Sequence, residues 1–311
     1  MNILIVGFGN MGCRHTQAVI SRKANDLVWI VEPDKEIFRN NLKRINASLS
    51  EVNYLKSLNE IPENIDFAII ATSAQPRFSI MKLLLNRGVK KFLVEKVVFQ
   101  SLWQFDEIIE LLENKGAVAY INFVNRYFSN YLFIKSSLIN NQPLSVIVSG
   151  GNFGIGCNAL HYIDLFEFIT GKKSSIVSSN LFQNSVENKR GASYKEFNGL
   201  LSFTTNNADR LVISSDPEMN SHEITIIVDG NINILNEQTL KHSIFYNGAL
   251  LETKIFDVLP TSKLTKLIID DIESGNCFLP SIQETKNCHV QLFGAINGTL
   301  GLTQNDLCPI T

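Results

Sequence analysis

Residues 3–12 read ILIVGFGNMG, an apolar, strand-like run that ends in three glycines spaced G-x-G-x-x-G. Gly7 permits a sharp turn, and Gly9 lets the backbone approach phosphates with no side chain in the way. Gly12 lets the following helix pack close to its strand. That helix is expected from Met11, so the backbone at Asn10 and Met11 and the positive end of the helix dipole face an anion. The next apolar run, Leu27–Val31, ends in Glu32, which stands 20 positions after Gly12. This is about the spacing of an acid that holds an adenosine ribose. A carboxylate there accepts the ribose hydroxyls and repels a 2′-phosphate, so NAD is expected over NADP, although Lys35 stands close by. An ordinary strand-to-helix turn with a solvated Glu32 would use the same residue types. Strand, glycine turn, helix, second strand and terminal acid in that order favour the dinucleotide.

Composition narrows the alternatives. A chain of 311 residues with 45% hydrophobic residues is long for one core and suits two domains. A net charge of −2 offers no basic field to collect nucleic acid or an anionic membrane. The first residues resemble no leader, and no apolar run reaches the roughly 18 residues of a membrane span, so the expected location is the cytoplasm. Five cysteines, at 13, 157, 277, 288 and 308, form no C-x-x-C pair. They argue against a disulfide framework or a zinc ribbon, and no metal is expected.

Up to about residue 120, strand-like runs alternate with amphipathic helices. The strands are Ile3–Val6, Leu27–Val31, Phe67–Ala71, Phe92–Val94 and Val118–Ile121, and the helices lie near Met11–Ser21, Glu36–Ile45, Arg77–Asn86 and Leu102–Asn114. This is the grammar of an α/β doubly wound Rossmann domain, 1–120. Its ligands belong at the carboxyl ends of the strands, where Gly7, Glu32, Thr72 and Glu95-Lys96 fall. Beyond it, a helix over Arg126–Ile139 and another over Ala159–Thr170 frame many short strands between 175 and 258. Turn clusters Asn206-Asn207 and Asp229-Gly230 mark an antiparallel sheet. The expectation for 121–311 is an α+β domain with a largely antiparallel sheet, finished by helices Lys263–Glu273 and Gln283–Asn297, that binds substrate and forms oligomers.

Two places could carry chemistry. In LVEKVVF, Glu95 and Lys96 leave a strand where a side chain can reach the nicotinamide end of a cofactor. A desolvated lysine there can hold a hydroxyl or carbonyl oxygen and take part in proton transfer, whereas a solvated Glu-Lys loop is the plain alternative. In 151–171, Cys157 and His161 lie four apart, on one helical face if the helix already covers both, and Asp164 follows by three. His161 suits proton transfer at neutral pH. On the residues alone, a structural histidine in a domain interface, oriented by Asp164, is the slightly favoured reading.

The whole chain resembles the Gfo/Idh/MocA oxidoreductases, two-domain NAD(P)-dependent enzymes acting mainly on sugars, inositols and nucleotide sugars. VGFGNMG matches the phosphate loop of that family, IIATSAQPR its I-A-T-P-x-x-x-H segment and LVEKVVF its V-E-K-P segment. NFVNRYF matches its asparagine–arginine stretch and HYIDLFEFITG its H-x-x-D-L-x-x-x-x-x-G helix. The resemblance implies that Lys96 contacts substrate, that His161 is the catalytic histidine, and that Asn125 and Arg126 face the substrate cleft. Arg126 could instead form an interdomain ion pair. The chain departs from the pattern at Val97 for proline, Ser73 for proline, Arg77 for histidine and Cys157 for the usual acid. A neutral thiol supplies no fixed charge, though Asn158 beside it can donate and accept hydrogen bonds.

The resemblance thus implies an NAD-dependent oxidoreductase acting on a sugar or nucleotide sugar, with cell-surface glycan biosynthesis as one such role, as a cytoplasmic homodimer or homotetramer. Two alternatives remain open: an enzyme that uses tightly bound NAD transiently, as an epimerase or glycosidase would, and a non-catalytic NAD-binding sensor.

Overall fold

Ile3 to Val6 lie at the centre of a six-stranded parallel sheet, buried on both faces, as their unbroken apolar character requires. The computed structural model describes residues 1–22, 25–138, 142–151, 153–182 and 191–311. The strands of this sheet are β1 (Asn2–Val6), β2 (Leu27–Val31), β3 (Asn53–Leu55), β4 (Phe67–Ile70), β5 (Lys91–Val94) and β6 (Val118–Ile121). Their spatial order is β3-β2-β1-β4-β5-β6, the order of the doubly wound Rossmann fold. Chain direction across the sheet reverses between β1 and β4, which opens a crevice at the carboxyl ends of those strands.

Four helices alternate with these strands: α1 (Asn10–Ile20), α2 (Lys35–Arg44), α3 (Ala74–Asn86) and α4 (Leu102–Lys115). Asp34 starts α2 by accepting the N–H groups of Glu36 and Ile37, which satisfies donors the helix cannot pair itself. Strand β3 is not among the strands expected from sequence. At three residues it carries too little apolar periodicity to stand out.

A second sheet of eight strands follows. A short 3-10 turn, Val124–Tyr127, precedes α5 (Ser129–Ser137), where one continuous helix had been expected; Ile139, its expected end, lies outside the described residues. Then come β7 (Ser145–Gly150), α6 (Ile155–Thr170) and the strands β8 (Ser175–Phe182), β9 (Asn198–Thr204), β10 (Arg210–Ser215), β11 (His222–Val228), β12 (Asn231–Asn236), β13 (Lys241–Tyr246) and β14 (Ala249–Ile255). The order is β14-β13-β12-β11-β7-β10-β9-β8. Every neighbouring pair is antiparallel except β7 with β10. On one face Val146, Val148, Leu211, Ile213, Ile224 and Ile226 are buried, whereas Ile147 (37%), Leu200 (38%) and Ile227 (36%) are exposed on this sheet. Helix α6 begins four residues before its expected start and ends at Gly171, whose φ of 68° is the left-handed conformation glycine adopts without steric cost.

Helices α7 (Thr261–Ser274) and α8 (Ile282–Thr299) close the chain. The two units of the structure are not consecutive in sequence: 259–284 belong with 1–99 and 103–124, and the rest form the second unit. Helix α7 packs on α1. The His15 ring meets Thr265 Oγ1 at 2.8 Å, and Arg22 donates to Asp270 at 2.8 Å. No helix among the described residues is long and apolar enough to cross a membrane.

Candidate active site

The glycines of the first turn divide into two kinds. A Cβ on Gly7, which has φ +90°, would lie 2.9 Å from Thr72 Cγ2, and one on Gly12 would lie 2.0 Å from the Gly7 carbonyl oxygen. Both are glycine because the protein itself fills the space. A Cβ on Gly9 would meet nothing within 4 Å. The open space is therefore in front of Gly9, at the start of α1, where Asn10 and Met11 begin the helix. No side chain caps that start, and its first turn holds no acid. A helix terminus of this kind binds a phosphate through backbone N–H groups and the dipole. The Glu32 carboxylate closes the other side, accepting the Phe8 N–H at 3.1 Å through Oε2 and the Asp34 N–H at 3.2 Å through Oε1. Gly7, Gly9, Asn10, Met11, Gly12, Glu32 and Thr72 are thus gathered at the carboxyl ends of β1, β2 and β4, and they fit a dinucleotide.

At the end of β5, Lys96 is 6% exposed and its peptide bond to Val97 is cis. Glu95 beside it does not face solvent. Its Oε1 accepts from His15 Nε2 at 3.0 Å and from the Asn122 amide at 2.7 Å. Burial pushes the Glu95 carboxyl up, but the hydrogen bond and charge of His15, the Asn122 amide and the Arg77 guanidinium outweigh it and hold the group at about 2. Glu95, read from sequence as a cofactor contact, here sits in a buried network. Arg77 donates to the main-chain oxygens of Glu95, Val97 and Thr72. His15 and Asn122 went unnoticed in sequence, although His15 lies one turn after Gly12 and Asn122 opens the NFVNRYF stretch.

In the second unit, α6 carries Cys157, Asn158 and His161, with His161 half-buried. The Asn158 amide donates to the Phe153 carbonyl within the turn that enters the helix. The described hydrogen bonds of Asp164 go to an arginine. Asp164 receives the Arg126 fork, Nε to Oδ2 at 2.9 Å and Nη2 to Oδ1 at 2.7 Å, a bidentate pair inside this unit. Burial pushes the Asp164 carboxyl up to about 6 against the pull of Arg126, with Glu167 adding to the rise. Asn125, beside Arg126, is buried. One carboxylate does approach Cys157: Glu196 Oε1 accepts the Cys157 N–H at 3.2 Å. It occupies space that a Cβ on Gly154 or Gly156 would enter, at 2.7 and 2.9 Å. Nothing in sequence pointed to Glu196, because its approach depends on a loop. Tyr162, next to His161, bonds to His222 at 2.8 Å.

Among the described residues no group of three or more potential metal ligands comes together, and Cys13, Cys288 and Cys308 are buried free thiols.

Residues 1–123 match the family model described as oxidoreductase family, NAD-binding Rossmann fold, Gfo/Idh/MocA. No curated protein matches the chain in sequence. Solved structures share the fold over nearly the full length. UDP-N-acetylglucosamine 3-dehydrogenase GnnA from Acidithiobacillus ferrooxidans is 14% identical with a TM-score of 0.74, covering 96% of this chain and 98% of its own. An oxidoreductase from Agrobacterium radiobacter, in complex with NAD+, L-tartaric acid and magnesium, is 12% identical with a TM-score of 0.74, covering 96% and 97%. A super-repressor mutant of Gal80p from Saccharomyces cerevisiae is 15% identical with a TM-score of 0.75, covering 97% and 96%.

Proposed function

We propose, from the match of residues 1–123 to the NAD-binding Rossmann domain of the Gfo/Idh/MocA oxidoreductases, that this chain moves a hydride between the nicotinamide and a secondary alcohol or keto carbon of a sugar or nucleotide sugar. The observation that carries the reading is the open space at Gly9, bounded by an uncapped α1 and by Glu32. NAD, when bound, supplies the hydride acceptor or donor. Lys96 holds the reacting oxygen, and His161 takes the proton from it or returns it. Asn125 and Asn158 offer hydrogen bonds to sugar hydroxyls, while Nε and Nη2 of Arg126 are engaged by Asp164. The nucleotide-sugar preference draws on the GnnA neighbour, a UDP-N-acetylglucosamine 3-dehydrogenase; a role in cell-surface glycans rests on the family resemblance alone. A panel of sugars and nucleotide sugars, with NADH formation followed by absorbance, tests it; a substrate that turns over without net NADH would assign the transient use of NAD instead.

A second reading, an NAD-binding sensor, is favoured by the likeness to a repressor and by the thiol at Cys157. NAD binding with no turnover across the panel would select it.

Glu32 should set the nucleotide preference. Calorimetric titration should show NAD(H) binding more tightly than NADP(H), with the gap narrowing in Glu32→Ala as the repulsion of a 2′-phosphate is removed. Wild-type preference for NADP(H) would overturn the assignment. The exposed apolar residues Ile147, Leu200 and Ile227 suit a second copy of the chain. Sedimentation should find a dimer or tetramer at micromolar concentration, and a monomer there would refute it.

A further inference from the structure

We propose that Arg77 is a positioning residue that fixes Lys96 by gripping the main chain on both sides of it. The inference rests on the role given to Lys96 above.

Arg77 lies in the first turn of α3, where burial leaves it 1% exposed, among the largest fully buried side chains. Its Nη1 donates to the carbonyl oxygen of Glu95 at 2.6 Å and to that of Val97. These are the two residues flanking Lys96. Its Nη2 donates to the carbonyl of Thr72, in the turn that follows β4. One guanidinium therefore joins the turn after β4 to the turn after β5, the two strand ends that meet the crevice.

Chemistry explains why arginine does this. Past the end of a strand the carbonyls lose their ladder partners, and a buried carbonyl needs a donor from elsewhere. Arginine carries five N–H donors in a rigid plane, so a single side chain can serve three carbonyls. An imidazole has at most two N–H donors, on opposite edges of its ring. Lysine keeps the charge but offers a compact ammonium without the fork. The buried charge is balanced locally by the Glu95 carboxylate, itself held by His15 and Asn122. With the carbonyls before and after Lys96 both held, the lysine enters the site from a fixed backbone. A displacement near 1 Å at such a position costs about a hundredfold in rate.

The test is a double-mutant cycle between Arg77→Lys and Lys96→Ala, with turnover measured on the substrate found by the panel and NAD affinity measured in parallel. Arg77→Lys keeps the charge beside Glu95, and thermal unfolding of the variant checks that it is folded. It is expected to lower kcat by about ten- to a hundredfold, with a much smaller change in NAD affinity. In the Lys96→Ala background the same change is expected to cost less than about threefold, because Arg77 acts through a side chain that is no longer there. Equal losses in both backgrounds, or wild-type kcat in Arg77→Lys, would overturn the proposal. If Lys96→Ala alone keeps full turnover, the role of Lys96 fails and the proposal falls with it. A crystal structure of the Arg77→Lys protein decides the matter without a substrate. The backbone of Lys96 should move by about 1 Å, and an unmoved Lys96 overturns the inference even if the panel yields no activity.

Discussion

Two buried carboxylates, one in each unit, are driven in opposite directions. Glu95 at the end of β5 is held at about 2, whereas Asp164 on α6 is pushed up to about 6. Both are fully enclosed, so burial alone cannot separate them. Partners do: Glu95 has the His15 ring, the Asn122 amide and the charge of Arg77, while Asp164 has the Arg126 fork, a weaker pull from Lys173 and an opposing second acid, Glu167. One bidentate arginine, opposed by a neighbouring acid, does not offset the cost of desolvating the Asp164 carboxylate, whereas the partners of Glu95 do. The first unit therefore keeps a fixed negative charge beside Lys96. The second keeps one that is close to being neutralised.

The difference should appear in stability, with opposite signs. Glu95 titrates below its unfolded value of about 4.5. Its contribution is complete above that pH and is lost as pH falls toward about 2, a window worth on the order of 3 kcal/mol. Asp164 titrates above its unfolded value of about 3.8. Its contribution is present below that value and is lost as pH rises through about 6. Urea unfolding between pH 3 and 7 should show Glu95→Gln flattening the acid side of the profile and Asp164→Asn flattening the side toward neutrality. If both substitutions flatten the same side, the contrast between the two units is wrong.

Turnover sharpens the contrast at the next scale down. Lys96→Ala and His161→Ala should each lower kcat by about a hundredfold, the usual cost of losing a positioned acid or base. NAD affinity should stay nearly unchanged. Cys157→Ala should cost much less, since a thiol moves protons poorly beside a histidine. Stopped-flow measurement of NADH formation in the three variants checks the ordering. Equal, large losses for Cys157→Ala and His161→Ala would give the thiol a part in the chemistry, and full turnover in Lys96→Ala would remove the lysine from it.

Much of the first unit was legible in the sequence, and for a physical reason. A parallel sheet covered on both faces writes its strands as continuous apolar runs, such as Ile3–Val6 and Phe67–Ile70, and it collects whatever follows each strand at one edge. Gly7, Glu32, Thr72 and Lys96 could therefore be placed together before any coordinates. The second unit resisted. Its alternating strands could be recognised as an antiparallel sheet, but the parallel pairing of β7 with β10 joins strands separated by α6, β8 and β9, and no local pattern records that. Return of α7 to the first unit was equally invisible, since it depends on side-chain matches such as His15 with Thr265 rather than on periodicity. Departures from the family pattern, Arg77 and Cys157, were visible as letters. Their consequences were not, because Arg77 bonds to carbonyls, which every residue has, and Cys157 meets Glu196 through its backbone N–H.

The smallest effect is expected at Glu196, where the two units can be compared once more. In the first unit the start of α1 has no cap and faces open space; in the second the start of α6 is covered by the Glu196 carboxylate, which accepts the N–H groups of Cys157 and Phe197 at 3.2 and 3.3 Å. Gly154 itself supplies no side-chain cap, so Glu196 serves that purpose from 39 residues along the chain. Removing it in Glu196→Ala should cost about 1 kcal/mol of stability, the usual worth of a helix cap. Glu196→Gln keeps an oxygen to accept the Cys157 N–H and loses only the charge at the positive end of the helix, so its cost should be about 0.5 kcal/mol. Thermal unfolding of the two variants gives the ordering. If Glu196 is a cap and nothing more, Glu196→Gln should turn over substrate within about threefold of wild type, far from the roughly hundredfold losses at Lys96 and His161. A hundredfold loss of kcat in Glu196→Gln, with unfolding unchanged, would mean that this carboxylate takes part in the chemistry one helical turn before His161.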